Sequence, residues 1–370
     1  MDITQIEKQI KDIEDEIFNT QKNKATEHHI GKLKAKLAKL KSEIEKKKGS
    51  GAKGKGFAIK KSGDATVGLI GFPSTGKSTL MNCLTDAKSQ IGDYYFTTLD
   101  VIPGMMKYKG ANIQILDLPG LISGASEGRG RGKEILSAIR NVDLILLMVD
   151  AKNIEYLDFM INELYNSGIR LNQKKPDVVI NKTGQGGINV TATLKLSKLN
   201  EDLVKSISSE YVINADIIVR EDISEDQLID VFIHNRVYVP AIVIINKTDV
   251  ISQEELDLKL KKVKDEGWKT IGISALDGIG LNKLQEMVFS ELEFIRVYMK
   301  PVGKKADFNE PLILRAGSIV EDVCKKLHRD FKNKFRYATV SGPSAKHTLQ
   351  KVGLDHKLKD QDILTIVISL

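Results

Sequence analysis

Gly71-Phe72-Pro73-Ser74-Thr75-Gly76-Lys77-Ser78 spells GFPSTGKS, an instance of the pattern G-x-x-x-x-G-K-[ST]. Its setting gives it weight: an apolar, strand-like run at 66–70 precedes it and a helical run at 79–84 follows. There, glycines let backbone N–H groups curl around an anion at a helix N-terminus, where the helix dipole adds to the attraction. The reading predicts a phosphate cradle of Gly71, Ser74, Thr75, Gly76, Lys77, Ser78 and Thr79. The Lys77 ammonium is expected on the β and γ phosphates and the Ser78 hydroxyl on Mg²⁺.

A second element stands after the strand-like run 113–116, at Asp117-Leu118-Pro119-Gly120. Alone it is an ordinary strand-end turn. Downstream of a phosphate loop, Asp117 is expected to hold Mg²⁺ through water, and the Gly120 amide to meet the γ-phosphate and sense its loss. The base is read from Asn246-Lys247-Thr248-Asp249, after the apolar run 241–245. A carboxylate at 249 accepts both N1–H and the exocyclic N2–H₂ of guanine, a donor pair that adenine lacks. Asn246 is expected to secure this loop and approach N7. The Lys247 stem would cover the ring, and Ser274 and Ala275 would bring a backbone amide to O6. GTP is the expected substrate and GDP the product. The same three residues recur at Asn181-Lys182-Thr183, but Gly184 stands where the discriminating carboxylate would be, so this copy is set aside.

Between these motifs, Tyr94-Tyr95-Phe96-Thr97-Thr98-Leu99 forms a candidate switch. Thr98, with Thr97 as the alternative, would complete Mg²⁺ coordination while the γ-phosphate is present. The catalytic candidates are thus Lys77, Thr98 and Gly120, and the metal candidates Ser78, Thr98 and Asp117. Gly124, Gly128, Gly130 and Gly132 predict a mobile second switch carrying Arg129, Arg131 and Lys133. A glutamine after Gly120 would orient the attacking water, but Leu121 stands there and its side chain cannot accept a hydrogen bond. Hydrolysis must then draw on Mg²⁺, Lys77, switch groups, a monovalent cation or a group supplied in trans. Slow intrinsic turnover is expected. Glu127 and Arg129 are open both as catalytic groups and as surface residues.

Around the motifs, apolar runs at 66–70, 113–116, 144–149, 241–245 and 270–273 alternate with helical sequence, which predicts an α/β domain with a mainly parallel sheet. The gap from Asp150 to Pro240 far exceeds the roughly dozen residues one crossover needs. After a crossover helix at 154–165, residues 168–235 are read as an inserted α+β subdomain, with strands at 178–180, 188–193 and 215–219 and a helix near 200–208. Upstream, Ile3, Ile6, Ile10, Ile13 and Ile17, then Ile30, Leu33, Leu37, Leu40 and Ile44, recur at helical spacing and predict a helical hairpin that packs on another domain or a partner. Downstream, a helix is expected at 281–297 and a linker at 300–306. A mixed domain follows, with strands at 312–314, 337–340 and 363–368 and a helix at 319–331. The predicted regions are 1–61, 62–167, 168–235, 236–298 and 299–370.

Residues 1–61 contain 16 lysines and 9 acids, which accounts for the whole formal charge of +7. This end suits a polyanion such as ribosomal RNA, or equally a solubilising helix and linker. Cys83 and Cys324 lie too far apart for a metal knuckle, and both are read as core residues in a reducing compartment. No apolar run approaches the roughly 20 residues of a bilayer span, and Met1 leads into acidic helical sequence rather than a secretory pattern. A cytoplasmic protein without membrane contact is expected.

Together these stretches resemble the DRG (developmentally regulated GTP-binding protein) family of Obg-related GTPases. The resemblance runs through TQKNKATEHHIGKLKAKLAKLK, KKSGDATVGLIGFPSTGKSTL, FTTLDVIPG, DLPGLISGASEGRGRG, NKTD and FRYATVSGPSAKHTLQKVGLDHKLKDQD. It implies a P-loop GTPase G domain interrupted by a small S5D2L-like insert, with an N-terminal helical hairpin and a C-terminal β-grasp TGS domain. It also implies GTP hydrolysis, association with ribosomes or translation and, in eukaryotic members, a regulatory protein partner. The nucleotide roles carry over to Gly71, Lys77, Ser78, Asp117, Gly120, Asn246, Lys247 and Asp249. Obg relatives commonly have asparagine at the position of Ser74, where it helps hold a catalytic K⁺; this branch usually has serine, so K⁺ activation stays open. The TGS segment implies contact with RNA or protein, although Lys346, His347, Lys351, His356 and Lys357 could equally be a solvated face. The alternative to a hydrolytic switch is a nucleotide-gated interaction scaffold in which hydrolysis is incidental. An ATP-dependent metabolic enzyme is disfavoured by Asp249.

Overall fold

The computed structural model describes residues 2–21, 23, 26–49, 62–85, 103–118 and 138–369. It divides into two compact units. The larger is built on a six-stranded sheet of order β11-β10-β4-β1-β3-β2. Its strands are β1 (Ala65–Gly71), β2 (Pro103–Tyr108), β3 (Ala111–Asp117), β4 (Leu144–Asp150), β10 (Ala241–Asn246) and β11 (Thr270–Gly272). All neighbours are parallel except β2, which runs antiparallel to β3. Every residue of β1 and β10, and all of β4 except Asp150, is buried, because helices cover both faces of a parallel sheet. Leu80 and Leu84 from α3 (Lys77–Leu84), together with Leu284, Val288 and Phe289 from the helix Leu281–Glu291, close one side of this core. Burial of each such side chain contributes roughly 1.5–3 kcal/mol.

The helix expected over 281–297 stops at Glu291, and Phe294–Met299 is instead strand β12. Glu293 adopts a left-handed backbone (φ 53°), which ends the helix, and Phe294-Ile295-Arg296-Val297-Tyr298 is β-branched and aromatic sequence. β12 belongs to a five-stranded sheet of order β13-β12-β16-β14-β15, so the C-terminal domain starts before the expected boundary at 299. Its other strands are β13 (Leu312–Arg315), β14 (Phe335–Ser341), β15 (Gln350–Val352) and β16 (Asp362–Ile368). The single helix expected at 319–331 is two, Val320–Leu327 and Arg329–Asn333. His328 breaks them apart with an extended backbone, and its ring caps the second. Cys324 is buried in this domain's core, as expected. Phe294 and Ile313 reach into the core under the large sheet, and two ion pairs, Arg315–Asp143 (2.7 Å) and Lys326–Asp64 (2.9 Å), tie the two sheets together.

In the smaller unit, helices α1 (Ile3–Asn19) and α2 (Glu27–Gly49) pack through Ile6, Ile13, Leu33 and Leu40. β5 (Ile169–Leu171) pairs with β9 (Val237–Val239), and three strands, β6 (Val178–Lys182), β8 (Ala215–Val219) and β7 (Ile188–Ala192), form a sheet in that spatial order. The hairpin finds its packing partner here: Ala35 and Ala38 of α2 join the apolar core that the helices Glu201–Ser208 and Glu225–Ile233 make with this sheet. At Gly31 a Cβ would lie 2.8 Å from Leu203 Cδ1, so glycine permits the close helix approach. The Tyr211 hydroxyl donates to the Ala35 carbonyl at 2.8 Å. Lys34 pairs with Glu225 (3.0 Å) and Asp226 (3.5 Å). Burial opposes the charge on Lys34, but the two acids outweigh it and hold the ammonium above its ordinary value. Lys32 and Lys39 likewise meet Glu210, so three α2 lysines that could face a polyanion are spent on contacts to the insert. The cluster at Lys53, Lys55, Lys60 and Lys61 lies outside the described residues.

Candidate functional site

The parallel sheet brings the C-terminal ends of β1, β3, β4 and β10 to one edge, and there three motif residues meet: Gly71, Asp117 and Asn246 each end a strand, as Asp150 ends β4. Loops beyond this edge of an open α/β sheet are where such folds bind ligands. β1 runs into the loop 72–76, and α3 begins at Lys77 with Gly76 as its N-cap. Ser74 (φ 64°) and Gly76 (φ 93°) both take left-handed backbones, which turn the chain around the loop. Two glycines have no room for a side chain. A Cβ on Gly71 would sit 2.5 Å from the Met148 carbonyl oxygen, and one on Gly76 would sit 2.4 Å from Asn246 Nδ2.

The Lys77 ammonium folds back inside this loop and donates to the carbonyls of Gly71 (2.9 Å) and Phe72 (3.0 Å). Thr75, buried, donates its hydroxyl to the Phe72 carbonyl at 2.8 Å. Ser78 and Thr79, in the first turn of α3, are exposed with their hydroxyls available to a ligand. Asp117 is half-buried, and its Oδ1 is shielded from solvent and has no hydrogen-bond partner among the described residues. Burial pushes its carboxyl above the ordinary carboxylate range, with Lys77 pulling the other way. Burial likewise lowers the Lys77 ammonium, opposed by Asp117. Each charge would be relieved by a ligand of opposite sign: phosphate oxygens for Lys77, a hard cation or its water shell for Asp117.

Asn246, 2 % exposed, joins the two halves of the site. Its amide donates to the Thr75 carbonyl at 2.8 Å, and its carbonyl oxygen accepts the Ala275 N–H at 3.0 Å. The phosphate loop, the base loop and the Ser274–Ala275 turn are therefore stapled by one side chain. Ser274 is held by its own turn, through Oγ to Asp277 Oδ2 (2.9 Å) and a two-way backbone bridge to Ile279. Asp249 stands exposed in the 3₁₀ turn Thr248–Val250. Lys247 adopts a left-handed backbone (φ 64°) and pairs with Asp150 at 2.7 Å. The structure thus gathers Gly71, Ser74, Thr75, Gly76, Lys77, Ser78, Thr79, Asp117, Asn246, Lys247, Asp249, Ser274 and Ala275 at one sheet edge. Thr97, Thr98, Gly120, Leu121, Glu127 and Arg129 lie outside the described residues.

Two residues at this edge have places the sequence did not foretell. Cys83, expected in the core, is exposed on α3, with its thiol 3.2 Å from the Ala275 carbonyl. Position 83 faces the adjacent turn rather than the sheet that Leu80 and Leu84 cover. In the sequence, Asp150 only closes an apolar run. An acid closing a central apolar strand, beside the strand that carries the base motif, is the signal that marks it.

A phosphate loop at the end of β1, an acid at the end of β3 and an Asn-Lys-x-Asp loop stapled to both define a P-loop GTPase. Residues 66–182 match the family model described as 50S ribosome-binding GTPase, 185–294 the C-terminal region of the MMR_HSR1 domain, and 295–368 the TGS domain. An uncharacterized GTP-binding protein of Methanocaldococcus jannaschii is 54% identical over 369 residues, covering 100% of this chain and 94% of the relative. Developmentally-regulated GTP-binding protein 1 of Xenopus laevis is 46% identical over 363 residues, covering 97% and 98%. Developmentally-regulated GTP-binding protein 2 of Homo sapiens is 44% identical over 361 residues, with the same coverage. The chain belongs to the family of developmentally regulated GTP-binding proteins. It binds and hydrolyses GTP, and among the described residues no helix is long and apolar enough to cross a membrane.

Proposed function

We propose that this GTPase is a Mg²⁺-dependent switch that acts on the ribosome or its RNA, with slow intrinsic turnover raised by a group supplied in trans. The partner is inferred from the family model over residues 66–182, whose description is a ribosome-binding GTPase. A cytoplasmic setting is expected from the sequence, and a regulatory protein partner from the resemblance to the family.

Within the site, Lys77 holds the β and γ phosphates, the amides of residues 74–79 cradle them, and Gly120 reads the γ-phosphate. Asp249 selects guanine by accepting its paired donors, with Asn246 and Ala275 fixing the pocket. The unpartnered Asp117 Oδ1 and the exposed Ser78 hydroxyl fit a hard cation that takes oxygen ligands, and Thr98 is the expected third ligand. When bound, Mg²⁺ neutralises charge between the phosphates. K⁺ near Ser74 is a further option. The decisive experiment is single-turnover GTP hydrolysis with and without ribosomes, in matched potassium and sodium buffers. Acceleration by ribosomes of about a hundredfold or more, the scale of one added charge-stabilising group, is expected. No acceleration in either salt would favour a nucleotide-gated scaffold.

A further inference from the structure

The end of β4 carries a carboxylate for which the motif residues provide no task. Asp150 stands directly across from Asn246 in the β4–β10 register, and the next amide, Ala151 N–H, donates to the Asn246 carbonyl at 2.8 Å. Its Oδ1 accepts the Lys152 N–H at 2.9 Å, and its Oδ2 accepts the Lys247 ammonium at 2.7 Å. The acid's side chain is 15% exposed and the lysine's 38%, so Asp150 is the fixed partner and Lys247 the one being held. Burial opposes the charge on Asp150. The Lys247 ammonium and the Lys152 amide outweigh it, however, and hold the carboxyl below its ordinary range. Of the neighbouring lysines, Lys152 adds only a weaker coulombic attraction to Asp150, and Lys259 is engaged by Glu255 and the Ala151 carbonyl.

Sheet order gives this pair a direction. β4 lies between β10 and β1, so a Lys247 side chain that reaches Asp150 runs from β10 toward the phosphate-loop strand. The Asn246 amide leans the same way to reach Thr75. Both side chains therefore cross the C-terminal edge of the sheet, where a nucleoside bound between phosphate loop and base loop would rest. A free lysine stem would have to be ordered at the moment of binding, at an entropic cost; one already anchored at its tip would not.

We propose that Asp150 is a positioning residue for the nucleoside half of the ligand. It stretches Lys247 across the end of β4 so that the lysine's methylene stem forms a preset apolar wall for the guanine ring. This rests on the reading of Asn246–Asp249 as the base site. The effect belongs to the nucleoside, so it is the same for GDP and GTP and leaves hydrolysis alone.

The variant Asp150→Asn keeps an acceptor for the Lys152 amide and removes the charge. Isothermal titration should show Kd for GDP and GTP rising by one common factor of about fivefold, the scale of a partly exposed ion pair. The single-turnover rate at saturating GTP should stay at the wild-type value. Lys247→Met, which keeps a stem but loses the anchor, should give a loss of similar size, and adding Asp150→Asn to it should change nothing further. Unchanged Kd, unequal losses for GDP and GTP, a changed hydrolysis rate at saturation, or additive effects in the double variant would each overturn the role. Asp249→Asn run alongside separates the two levels. If it too leaves binding intact, the base-site reading falls. If it alone weakens binding, only the role of Asp150 falls.

Discussion

The chain contains Asn-Lys-Thr twice, and the two copies have different surroundings. Asn246-Lys247-Thr248 ends a strand buried in the middle of a parallel sheet, and Asn246 makes two buried hydrogen bonds that join three loops. Asn181-Lys182-Thr183 ends β6, an edge strand of the insert, where all three residues are exposed. Identical letters acquire a function only where the fold converges other groups on them.

The sharpest way to test this contrast is to exchange the residue that separates the copies. Asp249→Asn should lower GTP affinity by about a hundredfold, because guanine's two donors lose a charged, doubly accepting partner. It should also shift preference toward xanthosine triphosphate. Gly184→Asp, which completes the second copy, should create no nucleotide site and leave GTP binding unchanged. Fluorescent-nucleotide titration reads both; GTP binding by the Asp249→Asn variant at wild-type strength would end the distinction.

A smaller effect separates the glycines that accompany each copy. Gly76→Ala places a methyl 2.4 Å from Asn246 Nδ2 on a left-handed backbone, so thermal unfolding should show a loss of about 1–3 kcal/mol. Gly184→Ala meets nothing within 4 Å and should stay within about 0.5 kcal/mol of wild type.

The smallest effect concerns pH. Burial raises the Asp117 pKa in the folded protein above its ordinary 3.8, so the native state binds the proton more tightly than the unfolded chain. The stability this provides is fully present below about 3.8 and is lost as pH rises through the folded value. Without nucleotide, Asp117→Asn should therefore be more stable than wild type at pH 7, by an amount that shrinks toward zero as pH falls to about 4. A melting-temperature difference independent of pH would show that Asp117 is not held in this way.

The part of the candidate site that the structure describes was legible because its motifs are local. Each motif is a short run in which backbone geometry and side-chain type are specified together, and the apolar strands around it repeat without interruption. The boundary near residue 294 was not legible. Leu292, Phe294, Ile295 and Val297 keep an apolar rhythm that suits either helix or strand, and the left-handed turn at Glu293 that decides between them leaves no mark in the side chain. The break at His328 escaped for a similar reason, since its ring caps the second helix without any glycine or proline to announce it. The partner of the N-terminal hairpin depends on tertiary contacts such as that between Gly31 and Leu203, and no periodicity within either segment records which distant helix will meet it. Asp150 was passed over because its role lies in a neighbour on an adjacent strand.

The packing of α2 against the insert also sets a timetable. Gly31 and Ala35 emerge early in synthesis, whereas Leu203 and Ile207, which cover them, are made much later. At a synthesis rate of about 5–20 residues per second, the hairpin waits on the order of ten to thirty seconds for its other half. During that interval the apolar side of α2 is open, and the first strands of the large sheet are made before the small unit can close. A nascent chain stalled in this window would present an uncovered helix face to whatever factors attend the growing polypeptide.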